Sequence, residues 1–407
     1  MSESTISTGP AAADRRPVHH FTPAQGWLND PHGVVHHDGE YHLFHQAIPD
    51  EVIWTPRISW GHATSPDLVT WTRHSTALDP APDEAGCWTG TLCQPPDGPP
   101  LILYTSPSPP DFAVAQVRAA SPSDGEWQRW TNGDRVELPL DRRTRNRLAM
   151  FRDPSVRWED DRWRMVVGAG YSDGRPAVLS WTSKDLVTWA FDGEVVVGTP
   201  NGSGPWLGTG WECPHLVRVD GHDVAIVASW DGVAEGEVLA SVGQLRDGRL
   251  EGTQWRQITH GGGHYAATTF EDADGVPCLI FWIRGVADID AGWAGALSIP
   301  YRLSVVDGIL HLEPHPNVVT AFEADTSEPS RILLTGDDVD GLRGSGIEVE
   351  RTADELTVTV SSTRLRIPLV PGDPQGPLTV LVDGSIVEVC TGTAVAGAQL
   401  SSPPETA

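Results

Sequence analysis

Three short motifs place a carboxylate one or two residues before a proline at intervals along the chain. They are Trp27-Leu28-Asn29-Asp30-Pro31, Phe151-Arg152-Asp153-Pro154 and Trp211-Glu212-Cys213-Pro214. Carboxylates gathered in a partly dry site cannot all ionise easily, which separates a protonated acid from an ionised neighbour. Cleavage of a glycosidic bond needs that separation, because one group protonates the departing oxygen while the other acts at the anomeric carbon. A single Asp-Pro pair is also ordinary turn chemistry, so the spacing of the three motifs decides between the two interpretations.

An internal repeat supplies that spacing. Residues 63–71 (ATSPDLVTW) return almost unchanged as residues 181–189 (WTSKDLVTW), and weaker copies lie near residues 121, 247 and 304. These markers predict five units of about 60 residues. Asp30 and Asp153 are about two units apart, and Asp153 and Glu212 about one. The same point on the five units is therefore predicted to carry, in order, Asp30, Trp88, Asp153, Glu212 and Tyr265.

The units read as short strands separated by turns. Strand-like runs occur, for example, at residues 40–45, 101–104 and 162–167, and helical periodicity is almost absent. About four strands per unit of this length are typical of a β-propeller, and the near-constant step makes an array of β-sandwiches the less favoured alternative. If the motifs lie on the innermost strands, the carboxylates converge on one channel mouth. The prolines predict extended backbone at Asp30 and Asp153.

The chain changes character after the fifth unit. Alternating strands are predicted at residues 355–360, 364–367 and 378–382, and Asp383-Gly384 predicts a hairpin into residues 386–389. We therefore predict an all-β protein with a polar tail over residues 1–18, a five-bladed β-propeller over 19–324 and a small, shortened β-sandwich-like domain over 325–407.

Charge and hydropathy exclude several classes of function. The chain has 55 acidic and 28 basic residues, a net charge of −27, and one lysine, Lys184. Binding to a nucleic-acid backbone or an anionic membrane needs clustered basic residues, so neither partner is expected. No apolar run approaches the roughly 20 residues of a membrane span, and the first 20 residues lack the apolar stretch of a signal peptide. We expect a soluble, cytoplasmic protein.

The remaining composition agrees with a sugar site without metal. The 17 tryptophans suit a surface that is part apolar and part hydrogen-bonding. The five cysteines lack Cys-x-x-Cys spacing and are predicted to be buried free thiols. The histidine pairs His19-His20 and His36-His37 have no converging third ligand, and neighbouring side chains on an extended chain point apart, so no metal site is predicted.

The motifs resemble those of a known family. WLNDPHG at residues 27–33, FRDP at 151–154 and WECP at 211–214 are similar to the three signatures of glycoside hydrolase family 32, which contains invertases, levanases and fructan hydrolases. The similarity extends to residues 45–46, 60–65, 88–91, 265–266, 269–270 and 295–300. LVDGSIVEV at 381–389 also resembles a strand pair of the family's C-terminal β-sandwich.

The resemblance implies a retaining mechanism. Asp30 would attack the fructosyl anomeric carbon, Glu212 would act as acid and then base, and Asp153 would bind sugar hydroxyls in the transition state. The fructose subsite implied by the resemblance contains Asn29, Gln46, Trp88, Thr89 and Arg152, with Trp54 as an apolar wall. The resemblance implies no metal and no cofactor.

The sequence departs from the family's pattern in three places. His32 stands where the family usually has Asn, and the C-terminal domain is shorter than usual. An acidic residue that contacts the sugar beyond the scissile bond commonly precedes Tyr265, but here the stretch is His260-Gly261-Gly262-Gly263-His264. We therefore expect His260 and His264 to make neutral contacts with the leaving group, and discrimination among leaving groups to be weak.

The expected activity is that of a β-fructofuranosidase, which releases terminal β-fructosyl residues from sucrose or short fructo-oligosaccharides. A fructosyltransferase could use the same residues. A non-catalytic sugar sensor is disfavoured by the three carboxylates, and an arabinosyl-specific propeller glycosidase by the WLNDPHG string. The sequence indicates no oligomeric state.

Overall fold

The structure is a computed structural model that describes residues 15–95, 98–110, 112–199, 204–252, 254–325, 331–336, 346–370 and 376–402. Most of the predicted tail and residues 326–330, at the predicted start of the last domain, lie outside the described residues. Strands dominate the described part and helices are short, which confirms the all-β class. No helix there is long and apolar enough to cross a membrane.

Within the described ranges, strands and two helices follow one another in groups. The first two groups are β1 (Gly26–His37), β2 (Glu40–Ile48), β3 (Ser59–Ser65), β4 (Thr72–Arg73), β5 (Trp88–Cys93), β6 (Leu101–Ser106), β7 (Gln116–Pro122) and β8 (Trp130–Arg135). Helix α1 (Arg142–Arg145) precedes β9 (Leu148–Glu159), β10 (Arg162–Tyr171), β11 (Pro176–Ser183) and β12 (Ala190–Val197). The next group is β13 (Gly210–Val219), β14 (His222–Trp230), β15 (Glu235–Arg246), β16 (Arg249–Gly252) and β17 (Arg256–Gln257).

The rest of the chain begins with β18 (Thr259–His260). It continues with β19 (His264–Glu271), β20 (Pro277–Asp288), β21 (Trp293–Leu297), β22 (Tyr301–Val306), β23 (Ile309–Pro314) and helix α2 (Pro316–Ala324). The last strands are β24 (Arg331–Gly336), β25 (Ile347–Arg351), β26 (Glu355–Val360), β27 (Thr363–Pro368), β28 (Leu378–Asp383), β29 (Ile386–Cys390) and β30 (Val395–Gln399).

Most strands pair with the next strand along the chain. β5–β8, β9–β12 and β13–β16 each form an antiparallel meander. β1–β4 form a fourth meander, which joins β19–β23 because β1 pairs in parallel with β21. A strand from the end of this region is thus hydrogen-bonded to its first strand, and the buried faces of the meanders form the apolar core.

The sequence repeat marks one recurring turn. The two strong copies lie between the third and fourth strands of their meanders, β3–β4 and β11–β12. Asp67 Oδ1 accepts the N–H groups of Val69 at 2.9 Å and Thr70 at 2.6 Å, and Asp185 Oδ1 accepts those of Val187 and Thr188 at 2.9 and 2.7 Å. The preceding serine donates to the same aspartate in both copies. The copied letters therefore encode a turn that satisfies its own backbone.

The last strands form two sheets with a shared apolar core. One sheet has the order β18-β30-β29-β28-β24 and the other β25-β26-β27. Side chains of both sheets, such as Val349, Val358, Val380 and Val389, belong to one buried cluster. The predicted hairpin is present, because β28 and β29 pair from Asp383 and Ile386 outward. β18 pairs in parallel with β30, so a strand from the first region extends the C-terminal sheet.

A buried ionic network also joins the N-terminal segment to the hairpin. Asp383 accepts the backbone N–H groups of Val18, His19 and His20. The His20 ring bonds Asp383 at 2.9 Å and Glu388 at 2.8 Å, and all three side chains are fully buried. Burial opposes protonation of His20, but its two carboxylate partners outweigh burial and raise its pKa to about 9. Burial likewise opposes ionisation of Glu388, but its histidine partners lower its pKa to about 2.

The network predicts a pH dependence of stability. Because the folded pKa of His20 exceeds the ordinary value of 6.5, its charge contributes stability that is full below pH 6.5 and is lost as pH rises through about 9. His20→Asn should therefore lower the free energy of unfolding by roughly 3 kcal/mol at pH 6, and by much less at pH 9.5. Urea unfolding at both values measures this. His19→Asn is the control: burial lowers the pKa of His19, so its loss of stability should not be greater at pH 6 than at pH 9.5. A loss of stability for His20→Asn that is equal at both pH values would contradict the assignment.

Candidate active site

β1, β5, β9, β13 and β19 each contain one residue more than the strand they pair with, at the point where the sequence predicts a functional residue. The pairing register shifts between Leu28 and Pro31, Trp88 and Gly90, Arg152 and Ser155, Glu212 and His215, and Tyr265 and Thr268. Such a β-bulge bends the strand and re-aims its side chains. The same irregularity thus recurs at five equivalent points, which are the points that the repeat predicts to be functional.

Two sequence predictions about these points are wrong. Asp153 has a φ of 64°, not the extended backbone expected before Pro154, and Cys213 and Ala266 have φ values of 46° and 48°. The bulge imposes this conformation, and the Asp153 N–H is held by Thr105 Oγ1 at 2.7 Å. A left-handed non-glycine residue costs on the order of 1–3 kcal/mol and persists only where its surroundings fix it.

The second correction concerns register. Arg152, Glu212 and Tyr265 are each the last paired residue before the shift, opposite Gly168, Ala228 and Trp282. Glu212 is therefore equivalent to Arg152, and Asp153 lies one residue later, at the position of Cys213. On β1 the last paired residue is Leu28, and Asp30 lies two residues later. The prediction of a single equivalent point is therefore wrong by one residue for Asp153 and by two for Asp30, because successive residues of the bulge reach the site.

All nine predicted site residues line one cavity of about 810 Å³. They are Asn29, Asp30, Gln46, Trp54, Trp88, Thr89, Arg152, Asp153 and Glu212. Trp54 stands at the rim, 42% exposed, with its ring centroid 5.9 Å from that of Trp88. Sequence reasoning missed other lining residues, among them Asp231 and Glu235.

Asp30 is surrounded by side-chain donors. Asn29 Nδ2 lies 2.8 Å from Oδ1, and Thr89 Oγ1 and Gln46 Nε2 lie 2.5 and 3.3 Å from Oδ2. The Trp27 indole N–H donates to Asn29 Oδ1 at 2.8 Å and so fixes the direction of that amide. Burial raises the pKa of Asp30, and these donors oppose the rise by favouring the ionised form.

Glu212 has one partner on each oxygen. Arg152 Nη1 lies 3.2 Å from Oε1, and the Tyr265 hydroxyl donates to Oε2 at 2.7 Å. The Arg152 guanidinium is itself placed over Trp88 and Trp230, 5.2 and 4.8 Å from their ring centroids. Burial raises the pKa of Glu212, and Arg152 and Tyr265 oppose that rise.

Asp153 completes the cluster. The Cys213 N–H donates to its Oδ2 at 3.0 Å, which ties β9 to β13. Burial raises the pKa of Asp153, and the charge of Glu212 raises it further. Because the pKa values of all three carboxyl groups are raised, the site retains a proton at pH values where ordinary carboxyls have lost theirs. Such a cluster can donate a proton and offer a carboxylate in the same cavity.

The structure corrects the expected contacts on the leaving-group side. His264 is fully buried and bonds Glu388, and His260 lines a different cavity beside the C-terminal strands. The acidic residues at the cavity mouth are Asp231 and Glu235, at the β14–β15 connection. The sequence signal was the Asp231-Gly232 turn between two strand-like runs, which projects polar groups from the end of the meander.

The described residues contain one three-residue group with metal-ligand geometry, formed by Asp272, Cys278 and His315. Arg302 Nε donates to Asp272 Oδ2 at 2.7 Å, so a positive charge already occupies that oxygen. We therefore interpret these three side chains as part of the packing of the fold and not as a metal site. All five cysteines are buried and unpaired, as predicted.

Comparison with known proteins agrees with this geometry. The model of the glycosyl hydrolases family 32 N-terminal domain matches residues 20–314. Fructan 6-exohydrolase of Beta vulgaris is 28% identical over 85% of this chain, and sucrose-6-phosphate hydrolase of Zymomonas mobilis subsp. mobilis is 32% identical over 73% of it. A sucrose-bound variant of the GH32 β-fructofuranosidase of Bombyx mori is 23% identical, with a TM-score of 0.79 over 96% of this chain and 90% of that one.

The chain belongs to glycosyl hydrolases family 32, which confirms the resemblance in the motifs. The two relatives compared by sequence are longer proteins, since the match covers 61% of each.

Proposed function

We propose that the chain is a retaining β-fructofuranosidase that releases a terminal non-reducing β-D-fructofuranosyl residue from sucrose or short fructo-oligosaccharides. The observation that carries the proposal is the unequal treatment of its carboxyl groups. Burial raises the pKa of all three groups, but Asp30 accepts hydrogen bonds from three uncharged side chains, whereas Glu212 is bonded by the guanidinium of Arg152 and the hydroxyl of Tyr265.

The architecture that we propose brings the site residues together. We take β1–β4, β5–β8, β9–β12, β13–β16 and β19–β23 as five propeller blades within residues 19–324, with β1, β5, β9, β13 and β19 innermost. The sheets packed at residues 325–407 would form the β-sandwich-like domain. The five equivalent bulges support this arrangement, because innermost strands bent at one level would direct their side chains toward a common axis.

The proposed mechanism has two displacements. Asp30, whose donors favour its carboxylate form, attacks the anomeric carbon while Glu212 protonates the departing oxygen, which gives a covalent fructosyl-enzyme. Glu212 then removes a proton from water, which attacks the same carbon and releases Asp30. Asp153 accepts hydrogen bonds from sugar hydroxyls in the transition state. Its rigid bulge keeps it in place while charge develops on the sugar.

The charge of the cavity favours a neutral substrate. Asp231 stands at the mouth, beyond the three inner carboxyl groups, together with Glu235, which is paired with Arg284 at 3.1 Å. Arg152 is already paired with Glu212. A phosphorylated sugar would bring a further anion into this field. We therefore propose unphosphorylated sucrose or short fructans as substrates, although the relative from Zymomonas mobilis is named for sucrose-6-phosphate.

The test of the function is a kinetic comparison on sucrose. Asp30→Ala and Glu212→Ala should each lower kcat by roughly 10⁴-fold, because residues that act as one unit are individually indispensable. Asp173→Asn, a surface carboxylate paired with Arg175, is the control. Free fructose and glucose are measured separately. Trisaccharide in place of fructose would indicate a transferase, and substantial turnover by folded Asp30→Ala would remove the nucleophile assignment.

A second prediction concerns the leaving group. Glu235 lines the mouth, so Glu235→Gln should remove a charge-assisted contact and lower kcat/KM for sucrose by about 10- to 100-fold. Methyl β-fructofuranoside, which has no leaving sugar, should be hydrolysed as by the parent protein. His260→Gln should leave kcat/KM unchanged for both substrates. Equal losses on both substrates would mean that Glu235 acts elsewhere than on the departing sugar.

A further inference from the structure

The C-terminal sheet touches the segment that leads into the active site. β18 pairs in parallel with β30, and residues 261–263 then connect β18 to β19. Gly263 lies so close to the backbone of β30 that a Cβ there would stand 1.9 Å from the Gly397 oxygen. The ring of His264 packs against Gly397 in the same way, since a Cβ on Gly397 would stand 2.6 Å from its Cε1.

Glu388 of β29 holds that histidine. His264 Nε2 lies 2.5 Å from Glu388 Oε1, and both side chains are fully buried. The same carboxylate also accepts the Ile299 N–H at 3.0 Å and the Tyr301 hydroxyl at 3.1 Å, besides His20. His264 Nδ1 is buried without a hydrogen-bond partner. The orientation of the ring therefore depends on Glu388, its one hydrogen-bond partner among the described side chains, and on packing against Gly397 and Phe281.

His264 is followed directly by Tyr265, and neighbouring side chains on a strand point to opposite faces. His264 faces the C-terminal sheet, and the Tyr265 hydroxyl reaches Glu212 Oε2 at 2.7 Å. A second acceptor, the Ser229 carbonyl, lies 3.1 Å from the same hydroxyl. One hydroxyl proton serves both acceptors, so the exact direction of Tyr265 decides how well Glu212 is bonded.

We propose that Glu388 is a positioning residue of the active site, which acts through His264 to hold the Tyr265 hydroxyl on the Glu212 carboxyl. The proposal rests on the proposed function, in which Glu212 is the acid. In this proposal the C-terminal sheet affects catalysis through the position of Tyr265, without itself contacting the substrate.

The consequence is a shift in the pH profile with a defined sign. Burial raises the pKa of Glu212, whereas Arg152 and Tyr265 lower it, and the charges of Asp30 and Glu235 raise it. Asp153 is a further carboxyl group that interacts with Glu212, since the charge of Glu212 raises the pKa of Asp153. Loosening Tyr265 weakens a lowering contact, so the pKa of Glu212 rises and activity persists to higher pH. Removing the Glu388 charge by itself would act in the opposite direction, because loss of a nearby negative charge lowers a carboxyl pKa.

The experiment is the pH dependence of kcat on sucrose for Tyr265→Phe, Glu388→Gln and the double variant. Tyr265→Phe should move the alkaline limb to higher pH, and Glu388→Gln should move it the same way by about half a unit or more. The double variant should shift no further than Tyr265→Phe. Tyr301→Phe is the control: it removes another donor from Glu388 but not the bond to His264, so its alkaline limb should match the parent.

An unchanged limb for Glu388→Gln, or a shift to lower pH, would overturn the proposal. If Glu388→Gln does not fold, His264→Gln tests the same connection and should shift the limb in the same direction. Failure of the proposed function is recognised separately, because then the parent would not hydrolyse sucrose or Glu212→Gln would keep its activity and its alkaline limb.

Discussion

Crowding of negative charge in one buried cavity is the constraint on which the rest of this structure depends. Asp30, Asp153 and Glu212 share the cavity with the guanidinium of Arg152, and burial raises the pKa of each carboxyl group. Each carboxyl is also bonded by a donor from another meander. Thr89 of β5 reaches Asp30 of β1, the Cys213 N–H of β13 reaches Asp153 of β9, and Tyr265 of β19 reaches Glu212 of β13. The site is therefore held by bonds between sheets.

The recurring bulge is the device that makes these bonds possible. A regular strand presents every second side chain to one face, but a bulge lets two successive residues reach the same side. Arg152 and Asp153 both line the cavity in this way, as do Asn29 and Asp30. The left-handed backbone at Asp153 and Cys213 is strained, and the hydrogen bond between these two residues helps to fix it.

The repeat spacing was sufficient to predict which residues meet, because one unit length separates equivalent points whatever the local geometry. It could not predict the offsets of one and two residues that separate Asp153 and Asp30 from the position of Glu212, since a bulge leaves no periodic signal. The acidic mouth was also missed, because Asp231 and Glu235 belong to a turn outside the motifs. A clearer signal was overlooked at Glu388, a charged residue within the apolar run IVEVC of β29. A buried carboxylate among such neighbours needs specific partners, and His20 and His264 are those partners.

Retention of configuration tests the central claim most directly, because it depends on a covalent intermediate on Asp30. Sucrose is incubated with the parent protein in aqueous methanol, and the first methyl fructofuranoside formed is followed by NMR before anomers can equilibrate. Two displacements require the two acting carboxyl groups to lie about 5–5.5 Å apart, against about 6.5–9.5 Å for a single displacement. The account predicts methyl β-fructofuranoside as the first product. Methyl α-fructofuranoside as the first product would contradict it.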